Sequence, residues 1–407
     1  MKRFGTLLVV FSLTLTCIAL VQCGTNGGGG SGGGAARGHV IPGPGEAGYD
    51  AALEQQAQYY FKSFATFSTA PFGMAFDARV GSATDRAVID RFVTANPDNL
   101  SFHDFCLQDP DCNDGYTIYD TIDGNTLVQP GIIKGYGEWG DLGCFGGVAG
   151  GADLFRYAVL KEENYPAAEV AEARERVKKL LYAIHVANKI SGTHVVIVRG
   201  IQRLDFAPKE GPLVPLFDAG GNPLPKVKQG VMRPDSSVGG LYPGWAWADD
   251  TSKDQVVGWM FVMGIAWDVV ADDPDIDQQL KDWLQEDARN FGKMLRTVAP
   301  ETGTDMVMRD GDGRLVTWCD VNPNVVNFSG CPGATSPVPI SSFNAIMGLG
   351  YVKVLYHITG DEELRAFYYD DLIGKRHWDD FILTAAVPMV DTGYSTNYSN
   401  VNMAFMA

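Results

Sequence analysis

The chain has 407 residues, with 32 basic against 49 acidic side chains, a net charge of −17 and 45% apolar residues. That length and apolar content exclude a wholly disordered chain and are enough for one large domain or two ordinary ones. The acidic balance excludes nucleic acid as a partner, because duplex binding runs on Lys and Arg that release counterions.

Taken in chain order, Lys2 and Arg3 precede an apolar run from Leu7 to Val21, too short for a comfortable membrane span. The run ends Leu20-Val21-Gln22-Cys23-Gly24, which resembles a bacterial lipobox, although Gln22 stands where a small residue is usual. The resemblance implies lipidation of Cys23, a membrane anchor and a place in the bacterial cell envelope, periplasmic or surface-exposed; an ordinary signal peptide cleaved near Cys23 is the alternative. Residues 24–36 read GTNGGGGSGGGAA, an uncharged Gly/Ser tract with the composition of a flexible tether. The expected organisation is therefore a signal peptide over 1–23, a tether over 24–47 and a folded domain over 48–407.

The periodicity predicts helices over Ala52–Phe67, Asp85–Thr94, Gly143–Leu160, Pro166–Ile190, Asp254–Val270, Ile276–Val298, Ser342–Ile358 and Asp361–Arg376. Asp254–Val270 is apolar almost all round, as a buried helix must be. Its successor carries Ile276, Leu280, Trp283, Leu284, Ala288, Phe291 and Leu295 on one face only. Glycine-rich members (Gly143–Leu160, Ser342–Ile358) alternate in the same way with mixed ones, so each couplet pairs an inner helix with an outer one. Glycine weakens a helix interior, and close backbone approach is the expected compensation. Convincing β alternation is scarce. His194–Arg199 and Met306–Val316 are short strand candidates, the second with a turn at RDGDGRL.

This layout of sequential helical hairpins resembles the (α/α) toroid scaffold of bacterial glycoside hydrolases, polysaccharide lyases and uronate epimerases. The resemblance covers roughly residues 48–407 and rests on helix layout. An α-solenoid is the alternative, against which the long irregular insertions argue. About four and a half hairpins are present. Residues 395–407 read as the start of another inner helix, so the expectation is either a truncated version of a longer protein or a shorter, open ring.

Of the seven cysteines, Cys106 with Cys112 and Cys319 with Cys331 flank short polar loops, and export permits two local disulfides. Cys144 is left single. No CxxC, HExxH or HxH spacing points to zinc. Residues 109–120, DPDCNDGYTIYD, miss the EF-hand register but allow an irregular Ca²⁺ loop. No other cofactor is expected, since GxGxxG after a strand, a Walker lysine and a GxSxG elbow are all missing.

Three stretches are chemically dense. Tyr136-Gly-Glu-Trp139-Gly-Asp141 enters an inner helix with aromatics that stack on sugars and carboxylates that bind hydroxyls. A capping turn explains Asp141 equally well. Trp245-Ala-Trp247-Ala-Asp249-Asp250 leads to Asp254 and Gln255. Here Ser252 and Gln255 fit a capping box, which leaves unexplained the carboxylates and the two tryptophans, expected with Trp139 to bind sugar. Asp250 and Asp254 are the catalytic candidates, with Asp249 as alternate, because crowded carboxylates raise a pKa toward that of a general acid. The third stretch carries His194, Arg199, Arg203 and Asp205. Its arginines suit a uronate or sulfate, or structural ion pairs. His185 sits at the margin of an apolar helix face, the usual place of a satisfied core histidine.

The expected function is a lipid-anchored, exported enzyme acting on a glycan or polysaccharide through paired carboxylates, in the manner of a glycoside hydrolase. The alternatives are a non-catalytic surface lipoprotein that binds glycan or protein, and a lyase or epimerase.

Overall fold

The computed structural model describes residues 42, 45–69, 73–74, 77–96, 100–112, 116–122, 125–137, 139–192, 196–204, 212–224, 230–323 and 342–384. The leader with Cys23, most of the tether, His194, Asp205, Cys331 and residues 395–407 lie outside them. Two compact units are distinguished, 1–51 and 52–407. The second is mainly α. Among the described residues no helix is long and apolar enough to cross a membrane.

Helices form in each of the eight stretches that the 3-and-4 spacing marks, and two short ones, Phe102–Cys106 and Trp378–Thr384, form outside them. They are α1 (Ala51–Ser63), α2 (Ala83–Thr94), α3 (Phe102–Cys106), α4 (Gly147–Glu162), α5 (Ala167–Lys189), α6 (Lys253–Val270), α7 (Gln278–Arg296), α8 (Ser342–Thr359), α9 (Glu362–Ala366) and α10 (Trp378–Thr384). Three π-helical turns, Phe64–Ser68, Leu142–Gly146 and Phe367–Ile373, extend or precede helices where the sequence suggests continuous ones. At the start of α2, Ser82 and Asp85 form a reciprocal capping box.

The helices make two rows. In the first, α6 packs between α4 and α8. Because α6 has a neighbour on both sides, its residues from Gln255 to Met263 are all buried, which accounts for the all-round apolar sequence. In the second row α5 packs on α4 and on α7, and α7 packs on α8. The helices of the first row begin at one end, so the segments that lead into them, 131–141, 245–252 and 315–320, gather there.

Glycine sets the spacing between α4 and α6. A Cβ on Gly147 would overlap the Gly258 carbonyl group, and one on Gly258 would overlap the Gly143 carbonyl oxygen. A Cβ on Gly143 would lie 2.6 Å from the Trp259 indole nitrogen. Backbone therefore rests on backbone, and the glycines follow from contact rather than from flexibility.

Strands are more numerous than the alternation suggests. β1 (Asp77–Val80) pairs antiparallel with β4 (Ile133–Gly137), and β2 (Tyr116–Ile122) with β3 (Asn125–Pro130). β5 (Gly200–Arg203), β6 (Met232–Pro234) and β7 (Trp245–Ala248) form a three-stranded sheet with β7 central. The predicted hairpin exists as β8 (Val307–Arg309) and β9 (Leu315–Asp320), turning through residues 310–314. The strand expected over His194–Arg199 begins instead at Gly200. Every residue of β5 and β7 is buried, so neither has the wet face that creates period-two polarity.

Cys106 and Cys112 are joined by a disulfide, Cys144 is outside any disulfide, and Cys319 is also disulfide-bonded. The Cys106–Cys112 loop is tied to α2 by a fork from Arg91 to Asp109, with both bonds at 2.8 Å.

The glycine contact gives a stability test. Gly258→Ala is expected to cost about 3 kcal/mol in urea unfolding through overpacking. Gly264→Ala, whose Cβ would lie 3.4 Å from Val354 in ordinary contact, is expected to be neutral or stabilising by up to about 1 kcal/mol.

Candidate functional site

The end of the bundle where α4, α6 and α8 begin is where most of the predicted chemistry meets. β4 delivers the chain to the 3₁₀ turn Trp139–Asp141, which passes into the π-helical turn Leu142–Gly146. Asp141 stands at the N-cap of that turn, yet its side chain makes no capping bond. Its Oδ1 accepts instead from Gln255 Nε2 at 2.9 Å and lies 3.5 Å from Arg199 Nη2. Gln255 Oε1 in turn accepts from the Cys144 N–H at 2.9 Å. Partial burial raises the Asp141 pKa. Arg199 lowers it, Asp254 raises it and Gln255 lowers it, and burial prevails.

Asp254 is the second residue of α6 and is half-buried. Among the described residues its carboxylate makes no hydrogen bond or ion pair. Its charge is nevertheless felt by Asp141, by Cys144 and by Tyr351 of α8. Burial, reinforced by Asp254 and Asp141, pushes the Cys144 thiol up to about 12, which removes it as a nucleophile. The fully buried Tyr351 hydroxyl donates to the Lys253 carbonyl. Lys253 Nζ donates to Asn344 at 2.8 Å and lies 3.5 Å from Asp320, linking α6 to α8 and β9.

Behind this surface lies a buried polar web. Asp250 has a left-handed backbone (φ 57°), a conformation that disfavours residues with a side chain. Four contacts hold it there. Its N–H donates to Asp310 Oδ2 at 2.9 Å, and its carboxylate accepts the Thr317 N–H at 2.7 Å and the Thr317 hydroxyl at 2.8 Å. Its carbonyl faces Arg199 Nη1 at 3.4 Å. Asp249 is fully buried against an equally buried Arg233, 2.5 Å from Nη2, and its Oδ1 accepts the Val231 N–H at 2.6 Å. Burial and the nearby Asp310 outweigh Arg233 and the Val231 bond, so Asp249 rises to about 6.

The remaining candidates are distributed as follows. Trp245 and Trp247 are 3% and 0% exposed, and the Trp247 indole N–H donates to the Pro234 carbonyl at 3.0 Å, so neither offers a ring face to a sugar. Their alternation with alanine reflects sheet packing. Arg203 is buried with its guanidinium 5.8 Å from the Trp245 ring centroid. Tyr136 is buried in β4, and the Trp139 side chain and Glu138 lie outside the described residues. Arg199 is buried under Gly140, where a Cβ would lie 3.1 Å from Nε. Its Nη1 donates to Ser252 Oγ at 3.1 Å. Ser252 therefore makes no helix cap and Gln255 reaches across to Asp141, so the expected capping box does not form. The S-x-x-Q spacing is real, but both side chains have partners on other segments. His185 lies between the outer-row helices, with Nδ1 2.8 Å from Asp287 and its ring stacked on Trp283 at 4.2 Å.

Among the described residues no group of three or more His, Cys, Asp or Glu side chains is placed to hold a metal ion. In the loop considered for Ca²⁺, Asp109 and Asp111 both lie on Arg91. No family model, curated protein or solved structure matches the chain.

The Asp249 assignment carries a pH signature. A carboxyl with folded pKa near 6 and unfolded pKa near 3.9 binds its proton more readily in the native state. Its contribution to stability therefore improves as pH falls from about 7 to about 4, by up to about 3 kcal/mol. The stability of the wild type minus that of Asp249→Asn, measured by denaturation across this window, is expected to rise as pH falls. A flat or opposite difference would contradict it.

Proposed function

We propose that the described helices are part of an (α/α) toroid and that its mouth is the catalytic site of an exported, lipid-anchored glycoside hydrolase-like enzyme. The observation that carries this reading is the pair at the mouth. Asp141 has a raised pKa beside Asp254, a carboxylate with no partner among the described residues. Two carboxylates in different environments are what hydrolysis of a glycosidic bond requires. Asp141 is the general acid that protonates the leaving oxygen, and Asp254 is the base or nucleophile. Asp249 and Asp250, buried and bound on several sides, serve this reading as the frame beneath the site.

The lyase or epimerase reading fits less well. A uronate needs an unoccupied cation, whereas Arg199 is held by Ser252, Asp250 and Asp141, and Lys253 by Asn344 and Asp320. A neutral glycan suits a mouth whose available charges, among the described residues, are carboxylates.

The test is reducing-end release from a panel of neutral polysaccharides and oligosaccharides. Asp141→Asn and Asp254→Asn are each expected to lower turnover by about 10²–10⁴-fold while the protein stays folded. Unchanged turnover in either variant would sink the assignment. Binding without any product from the wild type would indicate a glycan-binding lipoprotein instead. For the anchor, Cys23→Ala is expected to abolish lipid labelling and move the protein from the membrane to the soluble fraction.

A further inference from the structure

Gln255 does more at the mouth than fill space. It is 1% exposed, and both ends of its amide have a partner. The Cys144 backbone N–H is solely a donor, so the group facing it at 2.9 Å must be the Gln255 carbonyl oxygen. The amino group is then fixed toward Asp141 Oδ1 at 2.9 Å. Amide orientation follows here from the hydrogen-bond network and not from a free choice of rotamer. Arg199 Nη2 approaches the same oxygen at 3.5 Å. Both donors therefore engage Oδ1, while Oδ2 has no hydrogen bond among the described residues.

We infer that Gln255 is a positioning residue that confines the transferable proton of Asp141 to Oδ2, the oxygen left free to meet a substrate. An oxygen that already accepts two N–H donors is the poorer place for a proton, so the neutral acid carries it on the other oxygen. The proton on Oδ2 passes to the departing glycosidic oxygen as that C–O bond breaks, and Asp141 is left as a carboxylate whose charge, shared by both oxygens, is stabilised by the Gln255 N–H on Oδ1. Gln255 thus holds the acid in one orientation before transfer and stabilises the anion after it. In a buried setting one such bond weighs more than it would in water. The catalytic half of this inference rests on the hydrolase reading, while the control of the Asp141 carboxyl does not.

The experiment follows the Asp141 carboxyl directly, by ¹³C NMR of the full chain labelled at aspartate carboxyls, with the resonance identified by its loss in Asp141→Asn. Gln255→Met removes both ends of the bridge. Gln255→Glu keeps an acceptor for the Cys144 N–H and removes the donor to Asp141, which preserves folding if the methionine variant is unstable. Both are expected to raise the Asp141 titration midpoint by about one pH unit, because the ionised form has lost a donor. The high-pH limb of glycan turnover is expected to move upward by the same amount, with kcat lowered more than KM is changed. A midpoint within about 0.3 of the wild type in a folded variant would overturn the positioning role. A shifted midpoint in a protein that turns over no glycan would support that role and overturn the hydrolase reading.

Discussion

The backbone contact between the start of α4 and the first turns of α6 is the constraint on which the end of the bundle where α4, α6 and α8 begin depends. Gly143, Gly147 and Gly258 leave no room for side chains, and this lets two helices approach with peptide against peptide. Glycine costs each helix roughly 0.5–1 kcal/mol against alanine, and the close approach offsets that cost through packing. The same contact brings the Cys144 N–H to Gln255 and Gln255 to Asp141, so the geometry of the carboxyl pair is fixed by the distance between two backbones. A wider separation would leave each of these groups without its partner.

Beneath the pair, the loop from Asp249 to Ser252 is held by groups from three other segments: Arg233 of β6, Arg199 before β5, and Asp310 and Thr317 of the β8–β9 hairpin. Such a web is costly to assemble, since buried charges must be matched and Asp250 must adopt a left-handed backbone. What it supplies is rigidity at the entrance to α6. Asp254 follows this web directly, as the second residue of α6.

Much of the helical layout was legible in the sequence. The eight helical stretches are present, with ends displaced by a few residues or with part of their length wound as π-helix, because the 3-and-4 spacing of apolar residues records burial directly. The all-apolar stretch from Asp254 to Val270 is the central helix of its row. Strands were poorly legible. β5 and β7 are buried on both faces, and Trp245 and Trp247 read as sugar platforms because an aromatic in a short motif looks the same whether a sheet covers it or water does.

The sequence by itself determined which segments are helical, which helix must be innermost, which residue types crowd the loops, and that Cys106 and Cys112 lie close enough to bond. These are local properties, set by periodicity and by short separations along the chain. Tertiary structure alone decided what each carboxylate does. Asp249, Asp250 and Asp254 fall within six residues, yet the first two are buried with partners as much as 67 positions away, while the third is half-buried at the start of α6, where its charge raises the pKa of Asp141. Asp141 and Gln255 are 114 positions apart and become neighbours only because α4 and α6 touch through glycine. A carboxylate's role depends on desolvation and on the charges around it, and both are supplied by segments that the sequence places far away.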